Sequence, residues 1–333
     1  MTTMIHDRER RRLILGSLAI PLAAAGFPGV GMTQTTAAVS KLRRIKMATV
    51  AAHDLAAMES WYTKWLGYKV VERGQVAAGL AASWGAPANA GRPFISLAPA
   101  AGGDVYIRGV EIDVVPDYRA LTTYGWNAIE IIIDDVYALR KQLESAPFEI
   151  IGEPHSLGGG FASIHAMQVK GPSEEVLYLT CETGDREKSS LPLPKSFVDR
   201  PFIMVLAGPD LEAMGEFYVD KFAMGRIPNF SSSLSMVVDA LGIDAAHQFP
   251  LGLLRAAERG NNIEIDEYPK AATVRPRHAG QLPPGVAMTT FSVADLDALP
   301  LDFIAPPAAH YGSVRSATFI GPAGELTELL EED

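Results

Sequence analysis

Four times along the chain an apolar run gives way to a stretch of helical period, always in the same order. KMATVAA (46–52) precedes DLAAMESWYTKWLGY, which opens at Asp54, and FIMVLAG (202–208) precedes DLEAMGEFYVDKFAMG, which opens at Asp210. Both openings place apolar side chains at i, i+3, i+4 and i+7, which predicts amphipathic helices with Asp54 and Asp210 at their N-caps. That spacing puts the aromatic residues Trp61, Tyr62, Phe217 and Tyr218 in the core. AIEIII with DDVYAL at Asp134, and AMTTFSV with ADLDAL at Ala294, repeat the design in the middle of each half. Each helix is followed by strand-like runs that end in VYIRGVEI, VLYLTCE, NIEIDEY or LTELLE, with turn signals at LGGGF (157–161) and PRHAGQLPPG (276–285). The pattern predicts an α+β chain of four βαβββ units, roughly 42–118, 124–184, 198–272 and 284–332. The segment SSLPLPKS (189–196) reads as the linker between two tandem modules, 42–188 and 197–333.

Composition narrows the function classes. Hydrophobic residues make up 48% and charged residues 20% of the 333, an ordinary globular balance. A net charge of −10 leaves no basic stripe for phosphates, so nucleic acid is excluded as a partner. The single cysteine, Cys181, excludes an internal disulfide and any cysteine-built metal site within one chain. Residues 1–40 differ from the rest. Arg10, Arg11 and Arg12 precede LILGSLAIPLAAAGF, too short an apolar run to span a bilayer comfortably, and TTAAVS (35–40) offers small residues for cleavage. This layout resembles a twin-arginine export signal and predicts a periplasmic protein with no membrane insertion after signal removal. The other reading is an N-terminal tail or a misassigned start, which would leave the protein cytoplasmic.

Four such units in register, with strand-ending phrases such as GPSEEVLYLTCE (171–182) and GPAGELTELLEE (321–332), resemble the vicinal oxygen chelate superfamily of glyoxalases, type I extradiol dioxygenases and bleomycin-resistance proteins. The resemblance covers nearly the whole chain after residue 42. It implies two modules, each with a curved mixed sheet wrapped around a cup, and an active site inside one cup. It also implies a divalent metal held by His or Gln on the first strand of a unit and Glu on its last. Carried over by counting, the first-strand positions are Met47, Ala128, Ile203 and Met288, and the last-strand positions are Ile107, Tyr178, Glu264 and Glu328. None of the first-strand residues suits a divalent ion, so no metal and no other cofactor is expected.

The ionisable residues left at those positions become the candidates. Glu264 and Glu328, expected to face each other in the C-terminal cup, would not both ionise readily in apolar surroundings, which suits general acid–base chemistry. Otherwise they end their strands at a solvated rim. Strand alternation turns Glu130 inward with Ala128, with Tyr178 or Arg108 as its partner. His165, on the strand FASIHAMQV, and Thr290, in step with Met288, are further candidates for the lining. His53, His247, His278 and His310 show no ligand spacing. With Met47, Ile107, Ala128, Ile203 and Met288 in the lining, the expected substrate is a small hydrophobic or aromatic molecule.

Three functions follow. The first is a metal-independent lyase or isomerase with Glu264, Glu328, Tyr178 and Glu130 as its acid–base groups. The second is a binding protein without catalysis, and the third a metal-dependent dioxygenase or glyoxalase with unusual ligands. Monomer and homodimer both fit a chain that carries four units.

Overall fold

The computed structural model describes residues 39–332, so the arginine-led segment lies outside the described residues. Among the described residues no helix is long and apolar enough to cross a membrane. The first unit runs β1 (Ile45–Ala52), α1 (Leu55–Trp65), β2 (Lys69–Gln75), a short α2 (Ala78–Ser83), β3 (Pro93–Ala98) and β4 (Tyr106–Glu111). The second comprises β5 (Gly125–Ile133), α3 (Val136–Gln142), β6 (Glu149–Ser156), β7 (Ile164–Lys170) and β8 (Val176–Glu182). The third has β9 (Val198–Gly208), α4 (Leu211–Phe222), β10 (Gly225–Ser232), α5 (Ser235–Leu241), β11 (Phe249–Arg255) and β12 (Asn262–Glu267). The fourth holds β13 (Gly285–Val293), β14 (Ala308–Tyr311), β15 (Val314–Ile320) and β16 (Leu326–Glu331).

Three of the four expected helices form, each capped by an aspartate. Asp54 Oδ1 accepts from Ala57 N at 2.8 Å, Asp210 Oδ1 from Ala213 N at 3.0 Å, and Asp135 Oδ1 from Tyr137 N at 2.9 Å. The opening at Ala294 makes only a turn. Asp295 accepts from Asp297 N and Ala298 N, but Pro300 follows before a second turn can close, and it disfavours the helical conformation at Leu299.

Which units share a sheet differs from the expectation of one cup per half. One eight-stranded sheet has the order β14-β15-β16-β13-β1-β4-β3-β2, and the other β10-β11-β12-β9-β5-β8-β7-β6. The first strands of units one and four pair antiparallel, as do those of units two and three. Each cup therefore combines a unit from either side of residues 189–196. The sheets meet back to back through the helices, in one core that takes Ile129 and Met204 from one sheet, Ala48 and Phe291 from the other, and Met58, Leu139 and Met214 from the helices. Trp126 Nε1 donates to the Leu326 carbonyl at 2.8 Å across the sheets.

A second kind of bond joins units that are neighbours in sequence. The Tyr62 hydroxyl of α1 donates to Glu175 Oε1 at 3.1 Å, and the Tyr218 hydroxyl of α4 donates to Glu325 Oε1 at 2.8 Å. The other carboxyl oxygens accept from Ser173 N and Ala323 N, each at 2.8 Å. Both glutamates are buried, and burial raises both carboxyls to about 7. A Cβ added at Gly171 would lie 2.0 Å from Glu175 Oε1, and one at Gly321 would lie 1.9 Å from Glu325 Oε1. The glycine and glutamate shared by GPSEEV and GPAGEL are thus one device used twice. Tyr62→Phe and Tyr218→Phe should each cost about 1–2 kcal/mol, because each leaves a buried acceptor without its donor. Urea denaturation of the two single variants and the double variant will show whether the losses add, as sites on different helices should.

Candidate functional site

In the first cup, between units one and four, α2 and Trp84 fill the hollow and pack on Met288, Leu326 and Val110. Arg108 and Glu328 lie beneath, with side-chain exposures of 3% and 0%, joined at 3.3 Å. Arg108 also donates to the Thr49 hydroxyl at 2.9 Å and to the Tyr311 hydroxyl at 2.5 Å, and its guanidinium sits 4.6 Å from the centroid of the Trp84 ring. Glu328 accepts from Trp84 Nε1 at 2.9 Å, Tyr311 at 2.9 Å and Thr290 at 2.8 Å. Each charged group here has its counterpart, and a helix stands where a ligand would enter.

The second cup, between units two and three, is also packed by a helix, with Met236, Val237 and Val238 of α5 in one apolar cluster with Tyr178 and Phe249, but among the described residues its acids lack counter-charges. Its face carries Glu130 from β5, Tyr178 from β8, Ile203 from β9, and Glu264 and Asp266 from β12. Tyr178 pairs with Glu130, Val205 with Glu264, and Ala207 with Asp266. Thr180 Oγ1 donates to Glu130 Oε1 at 2.6 Å. Burial, and then the charge of Glu264, raise the Glu130 carboxyl to about 8. Burial raises Glu264 to about 7, although part of its surface stays exposed, and pushes Asp266 well above the usual carboxylate range, with the charge of Glu264 adding to it. Both oxygens of Asp266, the Tyr268 hydroxyl and Gln168 Oε1 are buried without a hydrogen-bond partner. Ala128, Tyr178, Tyr268 and Phe249 form an apolar cluster with Ala120, Leu121 and Met236. The last three also line a cleft of about 490 Å³ with Lys170, Glu174 and Asp239, and none of the cup's acids lines it.

Several expectations are corrected by this placement. Glu264 and Glu328 do not face each other, because their strands belong to different sheets. Arg108 pairs with Glu328 and is no partner of Glu130. Arg108, not Ile107, faces the cup. Ile107 lies in the common core, since a count one residue short reverses the face of a strand. Last-strand residues pair with Thr49, Glu130, Val205 and Thr290, two positions beyond Met47, Ala128, Ile203 and Met288. Both sets share a face, so Met47 and Met288 belong to the first cup while Ala128 and Ile203 belong to the second. His165 lies outside the cups. It is opposite Cys181, and its Nδ1 meets the Tyr137 hydroxyl of α3 at 2.6 Å. Asp266 and Tyr268 went unnoticed although they alternate with Glu264 in NIEIDEY, a period-two signal within the sequence itself.

The donors at the metal positions of this fold do not fit a divalent ion. A guanidinium fills the first cup, and the second offers carboxyls that favour the proton, with no imidazole or thiolate among the lining residues named. Among the described residues no group of three or more His, Cys, Asp or Glu could hold a metal ion.

The two cups should respond oppositely to loss of a carboxylate. Glu328→Ala leaves Arg108 buried and unpaired, a loss of about 3–5 kcal/mol in urea denaturation, whereas Glu264→Gln should leave stability unchanged or raised. The raised carboxyls also set a pH dependence. Glu130, Glu264, Glu175 and Glu325 hold their protons to about 7–8 in the folded chain. In the unfolded chain such groups ionise above about 4.3. Stability is therefore fullest below that pH, declines as pH rises through 7–8, and levels off above. Calorimetry should give a higher Tm at pH 5 than at pH 8, and Glu130→Gln should flatten the difference.

Residues 44–177 match the model of the glyoxalase/bleomycin resistance protein/dioxygenase superfamily. No curated protein sequence matches the chain. Among solved structures, glyoxalase I from Zea mays is similar, with a TM-score of 0.58 and 16% identity over 86% of this chain and 92% of that one. A Bacillus subtilis protein proposed to be a dioxygenase is also similar, with a TM-score of 0.58 and 12% identity over 88% of this chain and 86% of that one. At these identities the likeness is one of fold alone.

Proposed function

We propose that the chain, whose residues 44–177 match the glyoxalase/bleomycin resistance protein/dioxygenase superfamily, binds a small, largely apolar organic molecule in the second cup and moves a proton on it with buried carboxyls. The observation that carries this reading is the contrast between sister cups. In one, Glu328 is fully satisfied by groups of the protein, while in the other Asp266 is wholly buried with both oxygens unpartnered. Orphaned buried acceptors are rare in folded chains and mark places where a ligand or ordered water completes the bonding.

The chemistry best suited to this cup is acid–base catalysis. A carboxyl at about 8 and another at about 7 supply a proton donor and a proton acceptor together near neutral pH. Glu264, with part of its surface exposed, is assigned the base, and Glu130, held by Thr180, the acid. Proton removal beside an electron-withdrawing group, followed by reprotonation or departure of a leaving group, makes the reaction an isomerisation or an elimination. The apolar cluster around Tyr178 and Phe249 would hold the frame of the substrate and exclude water. A step that needs a metal-bound oxygen or metal-bound substrate is not assigned, since the side chains at the metal positions do not suit one.

The test is a screen of small aromatic and alicyclic carbonyl compounds by thermal shift, followed by NMR of the binders in D2O with catalytic amounts of protein. Replacement of a carbon-bound hydrogen by deuterium is expected, slowed at least tenfold by Glu264→Gln with binding retained. Binding without exchange would leave a binding protein. Exchange unchanged in the Glu264→Gln and Glu130→Gln variants would reject the acid–base assignment.

A further inference from the structure

We propose that residues 189–195 form a strap across the mouth of the second cup, and that Leu191 on its inner side sets the width of the molecule that reaches Glu130 and Glu264. The inference rests on the proposed site in this cup and names a residue that selects its substrate. The pattern SSLPLPKS reads as a linker, yet more chain lies here than a linker needs. The connection leaves β8 at Glu182 and enters β9 at Val198, two strands that both pair with β5. Stepping over that one intervening strand spans about 10 Å, which three or four extended residues cover. Residues 183–197 exceed that length several times over, and part of the surplus is packed against the cup.

Both ends of the strap are pinned. Arg259, in the turn between β11 and β12, donates to the Ser189 carbonyl, and the Ser189 hydroxyl accepts from Leu191 N at 3.2 Å. Pro192 packs beside Gly260 of the same turn, where an added Cβ would lie 3.2 Å from the proline ring. At the far end Asp199 Oδ2 accepts from Lys195 N at 2.6 Å. Between the pins the two leucines divide. Leu193 is 55% exposed, whereas Leu191 packs on the apolar cluster of Ile132, Phe202 and Ile203, as does Leu253. Three of these residues belong to the face of the cup. Ile132 follows Glu130 by two positions on β5, Ile203 pairs with Glu130, and Leu253 pairs with Glu264. Leu191 is therefore seated among the side chains that flank both acids. The α5 helix packs at the Tyr178 and Phe249 end of the cup, so the part of Glu264 that stays exposed leaves an approach on the side of Leu191. A leucine offers a guest no hydrogen bond and no charge, so what it controls there is size and shape.

The experiment reads access to the acids by thiol labelling of the whole protein. Cys181, the native thiol, is buried, so the unsubstituted chain gives the background. Glu264→Cys, and separately Glu130→Cys, places a thiol at each acid in turn for labelling with N-methylmaleimide or N-pyrenylmaleimide, each rate taken relative to that with free glutathione. Adding Leu191→Ala should speed the pyrenyl reagent at least tenfold and the methyl reagent less than threefold, since even one methylene in an apolar pocket changes discrimination by roughly 10–200-fold. Leu193→Ala, on the outward side of the strap, should change neither rate. Thermal unfolding will show which variants are folded, and Leu191→Val carries the same comparison, with a smaller shift, should Leu191→Ala unfold. A ratio of the two rates unaltered at Leu191 would overturn the strap, and so would equal acceleration of both reagents, which is what general loosening produces. Labelling needs no substrate, so its failure leaves any carbonyl binders and their deuterium exchange standing. A shifted ratio with a failed carbonyl screen would instead remove the acid–base reading and keep the strap.

Discussion

The architecture depends on how the first strand of each unit finds a neighbour. A βαβββ unit presents its first strand with one side unpaired, and an unpaired strand edge exposes a row of backbone groups that must be bonded or solvated. Here β1 closes on β13 and β5 on β9, and these antiparallel seams turn four small open sheets into two large ones. The curvature, the two hollows and the choice of side chains that meet inside each follow from those seams. The Tyr–Glu bonds tie the units in the other combination, so every unit is held to one partner through its sheet and to another through its helix or turn.

The two hollows show what happens to a buried acid under two different arrangements. A carboxylate out of water is tolerable when a counter-charge and several donors surround it, and then it is structure. Without them the group keeps its proton, or stays uncompensated until something arrives. Glu328 is of the first kind, enclosed by Arg108, Trp84, Thr290 and Tyr311. Glu130, Glu264 and Asp266 are of the second. The position that Glu328 holds in one cup is held by Glu264 in the other, where among the described residues no ion pair meets it, and the unpartnered acid, Asp266, lies two residues further along the strand.

Much of this was legible in the sequence where the signal is local. Period and punctuation gave all four units and three of the helices, because side-chain spacing and capping aspartates act within a few residues. The inward turn of Glu130 followed from alternation alone, but its partner did not: Tyr178 lies beside it on β8, while the hydrogen bond comes from Thr180. Non-local choices were not legible. Every first strand is a similar apolar run, so nothing within KMATVAA says that it will meet AMTTFSV, 241 residues on, rather than AIEIII. Arg108 was named but put out of register for a different reason: it lies five residues after Gly103, whereas Glu264 and Glu328 lie four after Gly260 and Gly324, and one step is enough to exchange core for cup. The fourth helix failed through Pro300, a stop signal that lay in plain view beyond the capping pattern.

The nested order of the seams has a consequence for how the chain can assemble. Every strand of the sheet that holds the unsatisfied acids lies between Gly125 and Glu267, so that sheet can close while the C-terminus is still being synthesised. The other sheet must wait for Leu326–Glu331 to leave the ribosome and then travel back to strands made first, a contact of very long sequence separation. Cup formation is therefore sequential in time, the inner one early and the outer one last. Until then β1 to β4 wait with an open edge, the stretch of the nascent chain most in need of a chaperone.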